Sequence, residues 1–175
     1  MKVPKIYALA ESALTVEFGN SIDYTIHQQV LHLNDSLQQK TFPGFIESVP
    51  AYASLTIYYQ PELSSFAFVK HHVESLYTGP INEKITERSQ VTIPVCYDDE
   101  FGYDLEFIAR SHGLSKEQVI NIHQQQVYDV YMMGFLPGFA YMGSVDDAIA
   151  TARKQTPRAN VEEGSVGIAG KQTGI

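Results

Sequence analysis

The chain has 175 residues, of which 44% are hydrophobic and 18% charged, with 12 glycines spread along it. That length suits one large domain or two small ones around a buried core, and the composition excludes disorder, collagen and coiled coil. Twelve Lys+Arg against twenty Asp+Glu give a net charge of −8, which offers no electrostatic footprint for a nucleic-acid backbone or an anionic membrane, so neither is an expected partner.

The lone cysteine, Cys96, can close no internal disulfide and has no CxxC partner, which excludes a disulfide scaffold and a Cys-based zinc site. A reducing cytoplasm is the expected compartment. Met1 to Ala10 holds no continuous apolar run, and no later stretch approaches the roughly 18 apolar residues of a membrane span. Neither a signal peptide nor a span is expected.

In chain order, Ile6, Tyr7 and Leu9, then Leu14, Val16 and Phe18, form two short strands around Glu11-Ser12 and predict a hairpin ended by Gly19-Asn20. Ile22, Ile26, Val30, Leu33 and Leu37 share one face of a helix, with Ser21 as the expected N-cap and Pro43-Gly44 as the stop. Strands over Phe45–Val49 and Ser54–Tyr59 follow, broken by Pro50. Pro61 is expected to open a second helix with a stripe of Leu63, Phe66, Val69, Val73 and Leu76, ending at Gly79-Pro80. The order ββαββα over residues 1–80 predicts a four-stranded sheet with both helices on one face, a two-layer α/β domain.

Ile81 to Ser89 is charged and poor in apolar residues, and is read as a linker over 81–89. A second domain, 90–175, is expected to start with a strand at Val91, Ile93 and Val95, where Pro94 suits an edge. Helices follow over about Asp104–His112, with Asp104 as N-cap, and Ser115–His123, where Ser115 and Gln118 form a capping box. Val127, Val130, Tyr131 and Met133 read as a buried strand. Val166, Ile168 and Ile175 suggest short strands of a β-rich domain.

Several familiar motifs fail. Five residues separate Gly164 from Gly170 and Gln172 follows Lys171, whereas a P-loop needs four residues and then Ser or Thr. Ser165, between Gly164 and Gly167, is out of register with a nucleophile elbow. The carboxylates Asp98, Asp99, Glu100 and Asp104 miss the EF-hand positions. The six histidines make no i, i+4 metal pair. Most read as surface helix residues, and His123 reads as a helix C-terminal residue whose imidazolium the dipole would favour. No metal site is expected and no catalytic residue is singled out.

Two segments ask for more. In GFLPGFAYMG (Gly134–Gly143), glycines and a proline hold a tight path while Phe135, Phe139 and Tyr141 need a core or a ligand to cover them. In TPRANVEEGSVGIAGKQTGI (Thr156–Ile175), four glycines permit close backbone approach, and Arg158 and Lys171 supply cations suited to carboxylate or phosphate. A structural aromatic loop and the bulge glycines of a barrel explain the same patterns.

Those two segments, with ESALTVEFG (Glu11–Gly19), SVPAYASLTIYY (Ser48–Tyr59) and IPVCYDDEFGYDLE (Ile93–Glu106), resemble the family of allophanate hydrolase subunit 1, the KipI kinase inhibitor and the B component of bacterial 5-oxoprolinase (PxpB). The resemblance spans essentially the whole chain. It departs at Ser144-Val145, at Ala152-Arg153-Lys154 and at Glu162-Glu163, where relatives carry Leu-Pro, PRR and Pro-Ala.

The resemblance implies an α+β protein: the two-layer ββαββα domain followed by a cyclophilin-like β-barrel. Relatives continue through a Ser-Pro-Gly-Gly-Trp segment, so the barrel is expected to be truncated at Ile175. It further implies a subunit of an ATP-dependent 5-oxoprolinase, a cyclic-amide hydrolase that converts 5-oxoproline to glutamate. The companion would be a barrel subunit like the C component of 5-oxoprolinase or allophanate hydrolase subunit 2, with a third subunit besides. ATP with magnesium would act at the level of the complex, and the isolated chain is expected to be inactive. The alternatives are a KipI-type inhibitor of a sensor histidine kinase and an allophanate hydrolase or urea carboxylase-like subunit.

For the site, the expected wall comprises Phe135, Pro137, Gly138, Phe139 and Tyr141 with the glycine-rich strand. Arg158 is assigned to a substrate carboxylate or phosphoryl group, since a guanidinium binds either in a bidentate fork. Gln172 and Thr173 are assigned to polar contacts, and the backbone around Gly164, Ser165 and Gly167 to an oxyanion.

Overall fold

A computed structural model of the chain describes residues 3–77, 89–134, 136–156 and 158–175. It divides into two compact units, Met1–Thr86 and Glu87–Ile175. The expected helix end at Gly79-Pro80 and nearly all of the expected linker fall outside the described residues.

In the first unit, β1 (Lys5–Ala10), β2 (Ala13–Glu17), β3 (Phe45–Pro50) and β4 (Ser54–Tyr59) form an antiparallel sheet in the order β1-β2-β4-β3. Alternation sends Leu14 and Val16 of β2 and Leu55, Ile57 and Tyr59 of β4 to one face. There they join Val30, Leu33 and Leu37 of α1 (Tyr24–Gln39) and Val69 and Val73 of α2 (Phe66–Tyr77) in one buried cluster. Each such side chain contributes about 1.5–3 kcal/mol on burial. On the other face, Thr15 and Thr56 stand opposite each other with hydroxyls 3.2 Å apart. The ββαββα order and the two layers are as expected.

Three local readings change. The N-cap of α1 is Asp23, not Ser21: its extended backbone lets the carboxylate accept from the amide of Ile26 at 2.9 Å. α2 starts at Phe66, five residues after Pro61, because Ser64 is tied to the Pro43 carbonyl at 2.6 Å and holds the chain in turns. Leu63 is therefore 61% exposed and lies off the stripe. His27, one of six histidines of which most are expected on the surface, is buried and its Nδ1 lies 3.2 Å from the Ala51 carbonyl oxygen.

In the second unit, α3 (Leu105–His112) and α4 (Lys116–Gln125) lie side by side, and Leu105, Ala109 and Val119 bury with Val145 and Ile149. The capping box at Ser115 and Gln118 is complete in both directions. A second antiparallel sheet, β5-β6-β8-β7, is built from β5 (Asp129–Met133), β6 (Ala140–Gly143), β7 (Gly167–Ala169) and β8 (Gln172–Gly174). Gly170, at φ +64°, and Lys171 make the two-residue β7–β8 turn, whose positive φ suits glycine.

Two strand expectations fail here. Val91 to Val95 forms no strand: Val91 is 74% and Ile93 46% exposed, and no described strand pairs with the segment. In β5 only Tyr131 is buried, while Val130 and Met133 are exposed and Val127 lies outside the strand. A bulge between Val130 and Met132 interrupts the alternation expected from the sequence.

Candidate functional site

The register of the second sheet sorts the expected site residues by face. Tyr141, Gly174 and Gly167 stand in one row across β6, β8 and β7, and Gly143, Gln172 and Ala169 in another row on that face. Met142, Thr173 and Ile168 form the row between, on the opposite face, and Ile168 packs against the helix-borne core. Phe139 lies on the first face: its ring meets Tyr141 edge-on at 4.8 Å and leaves only 2.6 Å between its Cζ and a β-carbon built at Gly174. Two aromatic rings, glycine backbone and the half-buried Gln172 amide thus share one surface. Pro137 and Gly138 sit exposed in the turn before it, where the Phe139 amide donates to Leu136 O at 3.0 Å. Phe135 lies outside the described residues.

Thr173 is turned away from that surface. It is 3% exposed, and its Oγ1 lies 3.4 Å from His123 Nε2, whose Nδ1 is 2.8 Å from the Tyr97 hydroxyl. A neutral imidazole has one donor and one acceptor nitrogen, and hydroxyls on both sides satisfy either tautomer. Burial of His123 pushes its pKa below the ordinary histidine value, which corrects the expected helix-end imidazolium. Burial likewise pushes the Tyr97 phenol up. Tyr128, which donates to the His123 carbonyl at 2.9 Å, is pushed up to about 12 by burial and then by the charges of Tyr97 and Asp146. Sequence reasoning assigned His123 no such role. The available signal was its i, i+4 spacing from Val119, which puts it on the buried face of α4.

Arg158 makes contacts that sequence reasoning did not anticipate. Its Nη2 donates to both Asp104 oxygens at 2.8 Å, Lys154 donates to the same carboxylate, and the guanidinium lies 5.2 Å from the Tyr103 ring centroid. Partial burial pushes the Asp104 carboxyl up, and the hydrogen bonds and charges of Lys154 and Arg158 outweigh it and hold the pKa below the usual value. All three side chains are some 40% exposed, so each pair is worth about 0–1 kcal/mol. Asp104 stands at the N-cap of α3 but makes no side-chain capping bond, contrary to expectation. Gly164 and Ser165 are exposed in a turn where the Ser165 amide and hydroxyl both donate to the Glu162 carbonyl. That amide is already engaged.

Beside Tyr97 an open depression of about 280 Å³ is lined by Asp98, Asp99, Lys116 and Glu117 with Leu105 and Ile120. Among the described residues no group of three His, Cys, Asp or Glu side chains could hold a metal ion. No helix among them is long and apolar enough to cross a membrane.

Residues 4–175 match the carboxyltransferase domain, subdomain C and D. The chain belongs to this family. Within it, the chain is 41% identical to the B component of 5-oxoprolinase from Bacillus subtilis (strain 168), over 98% of this chain and 75% of that one. The crystal structure of TTHA0988 is 36% identical and superimposes with a TM-score of 0.77 over 93% of this chain; the chain spans 32% of TTHA0988. Urea carboxylase of Kluyveromyces lactis, at 15% identity, shares the carboxyltransferase fold alone, with a TM-score of 0.79 over 98% of this chain and 17% of that one.

Proposed function

We propose that this carboxyltransferase-family chain is a subunit of a cytoplasmic 5-oxoprolinase, which opens 5-oxoproline to glutamate at the expense of ATP. The observation that carries the reading is the 41% identity to the B component of a 5-oxoprolinase along 98% of the chain. In this reading the second unit contributes part of a cyclophilin-like barrel, and the chain works with a companion barrel subunit like the C component of 5-oxoprolinase and with a third subunit.

The surface of Phe139, Tyr141 and Gln172 suits one wall of such a site. A five-membered lactam is flat and uncharged over most of its ring, so it can lie against an aromatic edge while a side-chain amide pairs with the lactam N–H and carbonyl. Arg158 supplies a cation for the substrate carboxylate. The glycine-rich segment does not form an ATP phosphate cradle, because its β7–β8 turn is only two residues long. ATP with magnesium is assigned to the assembled complex.

The test is 5-oxoproline-dependent ATP hydrolysis and glutamate release by the chain alone, and by the chain purified with its companion and third subunits. Turnover is expected only from the assembly. Full activity from the lone chain would remove the shared-site reading, and an inactive, correctly assembled complex would remove the substrate.

A further inference from the structure

We propose that Asp104 is a built-in, displaceable ligand of a two-cation oxyanion site formed by Arg158 and Lys154, which accepts the carboxylate or phosphoryl group of a small molecule when Asp104 leaves. The inference rests on the assignment of Arg158 to the substrate's anionic group and deepens it by adding Lys154 as a second cation and Asp104 as the competitor.

Four observations carry it. First, both Asp104 oxygens are held by Arg158 Nη2 at 2.8 Å, and Lys154 donates to one of them. One guanidinium nitrogen shared by both oxygens, with an ammonium on one of them, is a charge-assisted grip that a ligand oxyanion could take in the same place. Second, one carboxylate between two cations leaves the trio with a formal charge of +1, so an incoming oxyanion is not repelled by the trio as a whole. Two carboxylates of the surrounding segments have partners of their own: Glu106 pairs with Arg110 at 2.6 Å, and Glu162 accepts from the Tyr103 hydroxyl at 3.4 Å.

Third, each cation has a support that does not depend on Asp104. Arg158 lies over the Tyr103 ring at 5.2 Å and Lys154 over the Phe107 ring at 6.0 Å, so each cation has a ring contact besides the carboxylate. Fourth, Asp104 is withheld from the job its position would give it. At φ −108°, ψ −1° it lacks the extended backbone of Asp23 and Ser115, which cap their helices, and its carboxylate faces the cations instead of the α3 amides. With the trio some 40% exposed, the internal contact is weak and open to exchange.

The experiment titrates the full chain with 5-oxoproline and, separately, with inorganic phosphate at fixed ionic strength, following the Arg158 Nε–Hε signal by NMR. The two ligands distinguish a carboxylate from a phosphoryl site. Asp104→Asn keeps the size and removes the charge, and at least one of the two ligands is expected to bind about tenfold more tightly to it. Arg158→Ala in that background abolishes the gain. Glu106→Gln removes a neighbouring carboxylate outside the trio and is expected to change affinity less than twofold. Equal gains in Asp104→Asn and Glu106→Gln would reduce the effect to net charge and overturn the proposal, as would no gain. If Asp104→Asn does not fold, Asp104→Ser serves in its place. Because the readout is binding without turnover, failure of the 5-oxoprolinase assay leaves it standing, and failure here leaves that assay untouched.

Discussion

The Phe139 ring rests on the backbone of Gly174, with 2.6 Å between Phe139 Cζ and the place a β-carbon would take and 3.1 Å from there to Ala140 O. The missing side chain lets an aromatic loop lie flat on a strand. Gly174→Ala must push the ring off and break its edge contact with Tyr141, at a cost of about 1–3 kcal/mol. Urea denaturation measures this, and in the Phe139→Ala background the same substitution is expected to cost less, because the ring clash is gone and only the 3.1 Å approach to Ala140 O remains. Equal costs in the two backgrounds would show that the ring does not rest there in solution.

His123 makes stability depend on pH with a defined sign. Its folded pKa lies below the ordinary value near 6.5 because burial disfavours the imidazolium. Between the two values the unfolded chain binds more protons, so stability rises with pH through that window and levels off above about pH 6.5. Asp104 does not blur this, since its window lies below its own ordinary value of 3.8. Urea midpoints measured from pH 5 to 8 are expected to climb toward pH 6.5 in the native chain and to climb less in His123→Gln. An identical slope in both would remove His123 as the source.

The same buried group gives a stability difference at one pH. Tyr97→Phe leaves the ring but strips the hydroxyl 2.8 Å from Nδ1. An unpaired buried nitrogen costs about 1–3 kcal/mol. The melting temperature should fall at pH 7.5, and the His123 pKa, followed by NMR, should move with it.

How much of this was legible follows from what each signal depends on. Apolar period placed β2, β4 and α1 correctly because Leu14, Val16, Leu33 and Ile57 all serve one core, and periodicity reports core-facing positions directly. It misplaced Val91–Val95, where alternation exists but no described strand pairs with it, since strand signals need a neighbour that the sequence does not name. The site divided the same way. The aromatic loop was visible from its residue types, whereas the opposite facing of Thr173 and Gln172 depends on the β6–β8–β7 register. The Asp104–Arg158 pair spans 54 positions, and no local rule connects them.

Leu63 and Leu33 test the corrected start of α2. Leu63, 61% exposed, should tolerate alanine within about 0.5 kcal/mol, as surface substitutions usually do. Leu33→Ala, at a fully buried position, should cost about 2–5 kcal/mol. Comparable costs at the two positions would restore Leu63 to the core stripe and the helix start to Pro61.

The helix starts offer an internal comparison, because an oxygen-bearing side chain stands before each of the four described helices and three of them cap: Asp23, Ser65, whose Oγ accepts from the Phe68 amide at 3.3 Å, and Ser115. Asp23 accepts from the Ile26 amide at 2.9 Å, and Ser115 accepts from the Gln118 amide at 3.2 Å while Gln118 reaches back to the Ser115 amide at 2.8 Å. Asp104 caps nothing with its side chain. Asp23→Ala and Ser115→Ala should each cost about 1 kcal/mol, the usual value of one capping bond; at position 115 the Gln118 side chain still accepts from the backbone amide, which alanine keeps. Asp104→Ala removes surface ion pairs instead, so its cost should stay below about 1 kcal/mol and shrink as salt is raised. Urea unfolding of all three at low and high salt separates the cases: a large, salt-independent loss at Asp104 would mean that its carboxylate caps α3 in solution, and the contact with Arg158 would then lose its place in the site.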